Sequence, residues 1–206
     1  SLSSMLVTAL SSIHAHHRRA AILWPLVRDL APGLLAGAVA GALLAVRLST
    51  EMLASVFGVY AALAGLQLLT GREVTGEKPM PGPLGNTLTG TSIGTLSSLV
   101  GIGGGSMTVP WLLWHGRNVK NAVATAAACG FPIAVAGTLT FVLVGHDRVG
   151  ADAALGYVHV PAFVGLAVFG ALFAPVGAAA VHGSPPALVR RIFGGFMLVV
   201  AWRMIF

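Results

Sequence analysis

The stretch that decides the fold is Gly-Ile-Gly-Gly-Gly-Ser-Met-Thr-Val-Pro, residues 101–110, which interrupts the apolar segment 84–115. It is not a nucleotide-binding loop, because no Gly-Lys-Ser or Gly-Lys-Thr ending follows it. Consecutive glycines let the backbone leave the helix. A helix that restarts after them points its positive end and its free N–H groups at the gap. The stretch therefore predicts a broken helix with an anion site that needs no buried charge. The alternative is that these glycines only allow close helix packing, as we expect for Gly33, Gly37 and Gly41.

Composition places the whole chain in a membrane. Charged residues make up 9% of the 206 residues and hydrophobic residues 56%, whereas soluble domains carry about 25% charged residues. Such a chain cannot cover a water-exposed surface. The abundance of apolar residues excludes a disordered chain, the scattered basic residues exclude a nucleic-acid-binding module, and the lone Cys129 excludes a disulfide scaffold.

Polar interruptions divide the chain into seven apolar segments. We compare the length of each with the ~20 residues that a helix needs to cross a bilayer. The first is too short to span, so we expect a helix cut at its N-terminal side. The fourth and fifth contain the glycine stretch and Gly130-Phe131-Pro132, and both are predicted to be broken helices. The seven segments are 1–13, 30–46, 52–70, 84–115, 119–145, 155–182 and 187–206.

An internal repeat relates the two ends of the chain. Aligning Phe57 with Phe193, an offset of 136 residues, also pairs Gly58 with Gly194. We therefore predict a first half over 1–76, a Gly/Pro-rich linker over 77–83 and a second half over 84–206. A counterpart of residues 84–125 is missing upstream, which predicts a truncated first half. The repeats are parallel if every segment crosses once and inverted if a broken segment re-enters.

The second predicted break adds polar groups close in sequence to the glycine stretch. Thr125 offers a hydroxyl, and Pro132 frees a backbone carbonyl. A hairpin over 115–120 would bring the two breaks to a similar depth. Lys120 either attracts anions at the mouth or is an interfacial lysine whose head reaches toward water.

Other chemistry is poorly supported. His14, His16 and His17 lack the further ligands that a metal site needs, and we interpret them as a basic interfacial turn. Asp29, Asp147 and Asp152 are placed in loops at membrane edges, so no catalytic triad and no intramembrane carboxylate is expected. An enzyme is the least supported class, and no cofactor is predicted.

Several short motifs, taken in order, resemble the sulfite exporter TauE/SafE family, which is also grouped with toluene-sulfonate uptake permeases. The resemblance implies about eight spans in two related halves and transport of sulfite, sulfonates or sulfoacetate-like anions across the bacterial inner membrane. This chain departs from the family by lacking the first-half glycine motif and by having Thr125-Ala126 where a Thr-Ser pair is frequent. The motifs are Ser1-Leu2, Leu10-Ser11-Ser12, His16-His17-Arg18-Arg19, the 101–105 glycines with Val109-Pro110, Lys120-Asn121-Ala122-Val123, Gly130-Phe131-Pro132, Gly156-Tyr157-Val158 before Pro161, and Leu188 to Phe193.

These observations predict an all-α integral membrane permease with about seven spans visible, whose halves alternate access to a small anion. The alternative is a non-transporting assembly component in which the glycines serve packing. The expected partners are the anion and the lipid bilayer, with no nucleic acid; a homo-oligomer is compatible with the sequence, and the coupling ion is left open. The predicted anion-binding residues are Gly101, Gly103, Gly104, Gly105, Ser106, Pro110, Lys120, Thr125, Gly130 and Pro132.

Overall fold

The protein is almost entirely helical. The computed structural model describes residues 2–17, 20–70, 78–146, 154–170 and 186–205. Of the predicted linker 77–83, only residue 77 lies outside these ranges. The elements are α1 Leu2–His17, α2 Trp24–Arg47, α3 Thr50–Thr70, α4 Pro83–Val100, α5 Gly105–Trp114, α6 Val119–Val144, the short strands β1 Ala154–Leu155 and β2 Val158–His159, α7 Val160–Gly170 and α8 Pro186–Ile205.

The described helices belong to two compact units. The first contains α1, α2, α4, α5, α6, the β1–β2 hairpin and α7, and the second contains α3 and α8. This grouping reflects which helices pack against one another. The division into repeat halves, 1–76 and 84–206, stays a prediction.

The apolar side chains on the surface explain why this fold suits a bilayer. Within the described part of the chain, α2 and the Lys120–Val144 portion of α6 are long and apolar enough to cross a membrane. Large aliphatic side chains face outward on several helices: Leu84 is 76% exposed, Leu143 74% and Leu63 64%. So much exposed apolar surface is unfavourable in water and favourable against lipid chains.

Helices α2 and α4 pack backbone to backbone through glycines. A Cβ atom added at Gly33, Gly37 or Gly41 would collide with a backbone carbonyl of α4. One added at Gly90 or Gly94 would lie 2.5 Å from a carbonyl oxygen of α2. From Gly33 to Gly41 the contacted residues of α4 also increase in residue number, so α2 and α4 run parallel. The packing role predicted for Gly33, Gly37 and Gly41 is confirmed. The contacted residues are Thr87, Thr91 and Thr95.

The break predicted in segment 84–115 is present, and the chain turns back there. Lys78 Nζ lies 4.3 Å from the ring centroid of Trp114, at the end of α5. Because α4 alone rises about 27 Å, a straight continuation through α5 would carry Trp114 more than ~40 Å from Pro83. The five residues from Lys78 to Pro83 reach at most about 17 Å, and two side chains cannot bridge the rest. Helix α5 therefore turns back toward the end at which α4 begins, packed mainly against α6.

The break predicted at Gly130-Phe131-Pro132 was wrong, because α6 runs as one helix from Val119 to Val144. Its N-terminus is capped by Asn118, whose side chain accepts a hydrogen bond from the Asn121 N–H at 2.8 Å. Pro132 removes one intrahelical hydrogen bond, to the carbonyl of Ala128. A single missing bond is tolerated where neighbouring helices hold the chain in place.

Three further expectations need correction. Asp29, expected in a loop, lies inside α2, because that helix begins at Trp24, before the predicted segment 30–46; Asp147 and Asp152 fall outside the described residues. The histidines expected in a turn form the last turn of α1, where positive charge favours the helix dipole. Residues 154–159 form a hairpin before α7, because Gly156 adopts φ +58° there and turns the chain.

Replacing Gly37 by Ala should destabilise the protein, because the new Cβ meets the rigid Thr91 carbonyl and forces α2 and α4 apart. We expect a loss of ~1–3 kcal/mol, measured by chemical unfolding in detergent. Gly165→Ala in α7 is the matched control, since nothing lies within 4 Å of a Cβ at that position. Equal stability of the two variants would contradict the backbone contact.

Candidate functional site

The break between α4 and α5 is made by backbone conformations that glycine adopts readily. Gly101 ends α4 in the left-handed region, with φ 70° and ψ 18°. Gly104 precedes α5 and is buried. No side chain caps the N-terminus of α5, although the first N–H groups of a helix have no partner within it. The positive end of α5 and those N–H groups therefore face the break.

The break lies deep in the fold. A Cβ at Gly104 would be 2.5 Å from Cδ1 of Ile133, close to the middle of α6. Helix α5 has 10 residues, so the break is about 15 Å from the turn that joins α5 to α6. That distance is half of the ~30 Å hydrocarbon thickness of a bilayer.

Buried hydroxyl groups without a partner occur on the helices on either side of the break. Ser98 near the end of α4 is 2% exposed and Thr108 in α5 is fully buried. Neither hydroxyl has a hydrogen-bond partner among the described residues, and the same holds for Ser97 and Thr138. Thr108 Oγ1 is 3.6 Å from a Cβ placed at Gly104. Ser98 Oγ is 3.1 Å from a Cβ placed at Gly137. A buried hydroxyl left unpaired is unfavourable, so these groups are available to a ligand.

Helix α1 lies over the same region. Sδ of Met5 is 3.1 Å from a Cβ at Gly103, and Cδ1 of Leu2 is 2.8 Å from one at Gly137. These apolar side chains lower the local polarity around the hydroxyls. A hydrogen bond to a neutral donor is stronger in such surroundings than in water.

The site contains donors but no charged group. Residues 79–114 contain no ionisable side chain, so the break offers backbone N–H groups, hydroxyls and the dipole of α5. Such a set suits an anion with several oxygen atoms. No group of three or more His, Cys, Asp or Glu side chains suited to a metal is found in the described part of the chain.

The structure brings part of the predicted set together at the break. Gly101, Gly103 and Gly104 form it, and Gly105 begins α5 with nothing within 4 Å of a Cβ. Ser106 is exposed, and its hydroxyl donates to the Gly103 carbonyl at 3.4 Å. Pro110 lies one turn further along α5.

The remaining predicted residues lie along α6. Gly130 and Pro132 are close in sequence to Ile133, at the level of the break. Thr125 is fully buried and lies about 12 Å nearer the start of α6 than Ile133 does. Its hydroxyl accepts a hydrogen bond from the Leu23 N–H at 3.0 Å. That bond satisfies a backbone group at the start of α2. Lys120 is exposed at the beginning of α6. A role of these residues toward an anion stays a prediction.

Sequence reasoning missed Ser98 and Thr108. Thr108 lies within the stretch 101–110 and Ser98 three residues before it, so proximity to the break was the available signal. Small hydroxyl residues are common in membrane helices, where they bond the carbonyl one turn back, as Thr140 does with Ala136 at 2.8 Å. Only the fold distinguishes the unpaired hydroxyls from the paired ones.

Comparison with known proteins agrees with this architecture. The family described as "Sulfite exporter TauE/SafE" matches residues 1–204. The chain belongs to the TauE/SafE family. A curated protein of Haemophilus influenzae, named "Probable membrane transporter protein", is 31% identical over 208 residues, which cover 99% of this chain and 78% of that protein. No solved structure matches. This TauE/SafE protein is thus a member of a family of membrane transporters, as its motifs predicted.

Thr108→Val should leave the free protein as stable as the wild type or up to ~1 kcal/mol more stable, because it removes an unpaired buried hydroxyl without changing the side-chain shape. Thr140→Val is the matched control and should lose ~0.5–1.5 kcal/mol, since it removes a hydrogen bond that is present. Thermal unfolding in detergent measures both. A larger loss at Thr108 than at Thr140 would show that the Thr108 hydroxyl is already satisfied.

Proposed function

We propose that this protein is a permease of the bacterial inner membrane that moves small sulfur-containing anions, such as sulfite, sulfonates or sulfoacetate-like compounds, by alternating access. The observation that carries the proposal is the break at 101–104, where the N-terminus of α5 and the unpaired Thr108 hydroxyl lie beside the buried Gly104, while the unpaired Ser98 hydroxyl lies near the end of α4 against Gly137. The family description "Sulfite exporter TauE/SafE" supports the choice of a sulfur oxyanion.

Basic side chains at one end of the first unit would attract the anion. Lys78 contacts Trp114, and Arg117 and Lys120 are exposed at the turn between α5 and α6. These residues lie at the end toward which α5 returns from the break. A group of like charges raises the local concentration of an oppositely charged substrate. The anion would then travel about 15 Å along α5, from the basic turn to the hydroxyls.

Alternating access would rest on two inverted repeats. Gly58 faces Ile205 and Ala201, while Gly194 faces Leu69 and Gly65. The repeat offset of 136 residues relates Gly58 to Gly194, Leu69 to Ile205 and Gly65 to Ala201, so the two sets of contacts are equivalent. Helices α3 and α8 therefore pack antiparallel through equivalent surfaces. A two-fold axis that relates antiparallel helices lies perpendicular to them, in the membrane plane. The re-entrant α5 supports the same inversion. If segment 84–115 does not cross the membrane, an odd number of crossings separates matching helices, and the two repeats then have opposite orientations.

The packing-only alternative does not account for every glycine at the break. Gly33, Gly37 and Gly41 are required by close contact, but a Cβ at Gly105 would meet nothing within 4 Å. Gly105 also has no positive φ angle. Its backbone at the start of α5 is left accessible, which favours a ligand over a packing role.

The first test is counterflow of radiolabelled sulfite in proteoliposomes that contain the full-length protein, with taurine, sulfoacetate and sulfate as unlabelled competitors. We expect saturable exchange, and the order of competitors then identifies the preferred anion. Folded protein that exchanges neither sulfite nor any competitor would contradict the proposal and favour the assembly component.

A substitution at the break should abolish exchange without unfolding the protein. In Gly104→Ala the new methyl group lies against the end of the flexible Ile133 side chain, which can move, while it fills the space beside the α5 N-terminus. We expect at least about tenfold slower exchange, equivalent to ~1.4 kcal/mol. Gly195→Ala, in open space in α8, controls for the added methyl. Full exchange by Gly104→Ala would show that the break is not part of the transport site.

A further inference from the structure

Asp29 lies in α2 and faces α4, at a site separate from the break. The Nδ2 of Asn86 donates a hydrogen bond to Asp29 Oδ2 at 3.1 Å. The Thr87 hydroxyl donates to the backbone carbonyl of Asp29 at 3.0 Å and leaves its carboxylate untouched. A carboxylate inside a membrane helix is costly and is retained mainly where it has a function.

Asn86 offers the carboxyl group a second, unused partner. Its side chain is 3% exposed, and Oδ1 has no hydrogen-bond partner among the described residues. A carboxylate only accepts hydrogen bonds, so the amide must present Nδ2 to it. The amide oxygen next to Nδ2 is then left buried and unpaired, which is unfavourable.

A proton on Asp29 would complete this pair. A protonated carboxyl group has one O–H donor, and the O–H of Asp29 can donate to Asn86 Oδ1 while Nδ2 continues to donate to the carboxyl group. The charged state thus has one hydrogen bond between the side chains and the neutral state has two.

Few other titratable groups face Asp29. Helix α4, which carries Asn86, contains none. In α2 the neighbouring Arg28 is exposed, and in α6 the candidates are the exposed Lys120 and the buried Cys129. From α1, His17 accepts a hydrogen bond from Trp24 Nε1 at 3.3 Å, at the start of α2. None of these is within ion-pair distance of Asp29 in the described part of the chain, so Asn86 is the group that distinguishes its two states.

We propose that Asp29 and Asn86 form a proton-binding site that couples anion movement to a proton gradient. This inference rests on the proposed function, because it assigns the coupling ion of that transporter. Asn86 is near the start of α4 and Ser97 near its end, about 16 Å along the same helix. The Asp29–Asn86 pair and the unpaired hydroxyl of Ser97 are thus connected by a single helix. A proton that accompanies the anion also lowers the net charge moved across the membrane.

The coupling is tested with full-length protein in proteoliposomes by comparing sulfite exchange at equal pH with sulfite accumulation driven by a pH gradient. Asp29→Asn should keep exchange and lose gradient-driven accumulation, because it cannot gain or release a proton. Glu51→Gln, at an exposed carboxylate in the first turn of α3, is the matched control and should keep both. Gradient-driven accumulation by Asp29→Asn, or its absence from the wild type, would overturn the proposal.

A second readout does not depend on transport. Infrared spectra of the purified protein, recorded from neutral to acidic pH, should show a carboxylic-acid carbonyl band that is missing from Asp29→Asn and present in Glu51→Gln. Asn86→Leu should shift that band, since it removes both amide hydrogen bonds. A spectrum without an Asp29 band at any pH, or a band unaffected by Asn86→Leu, would overturn the proton site. If the wild type does not exchange sulfite but shows the band, only the proposed function fails.

Discussion

The fold depends on the need to satisfy backbone hydrogen bonds where no water is available. A chain inside a bilayer can leave the helical conformation only where it is buried in protein or lines a cavity. At 101–104 this chain does so in the middle of the fold, with Gly101 in the left-handed region and α5 beginning directly afterwards. Of the first N–H groups of α5, that of Met107 donates to the Gly104 carbonyl. Those of Gly105 and Ser106 remain at the break, and they are the kind of group that binds an anion.

Close helix packing holds this break in place. The glycines of α2 and α4 bring the two backbones into contact, which fixes the position of α4, the helix that ends at the break. Helix α6 supports the other side through Ile133 and Gly137. The same α2–α4 contact also brings Asp29 to Asn86. One packed pair of helices therefore supports two polar sites, one made of uncharged donors and the other of a carboxyl group and an amide.

Sequence patterns predicted those features that depend on local chemistry. The glycine stretch broke the helix as expected, and the spacing of Gly33, Gly37 and Gly41 predicted their packing role. The patterns failed where the outcome depends on neighbouring helices. Pro132 does not break α6, because loss of one hydrogen bond is tolerated within a packed bundle. Asp29 was placed in a loop because the start of α2 was set too late. Thr125 and Thr108 look alike in the sequence, yet one hydroxyl is bonded to Leu23 and the other is unpaired.

The most direct test of this account asks whether the chain turns back at the glycine break. In a Cys129→Ala background, Lys78→Cys and Arg117→Cys each provide a single thiol, the first before α4 and the second after α5. Intact cells or oriented vesicles are labelled with a membrane-impermeant maleimide from one side at a time. The account predicts that both thiols react from the same side of the membrane. Labelling from opposite sides would mean that 84–115 crosses the bilayer once, and would contradict a re-entrant α5 and the buried anion site at its N-terminus.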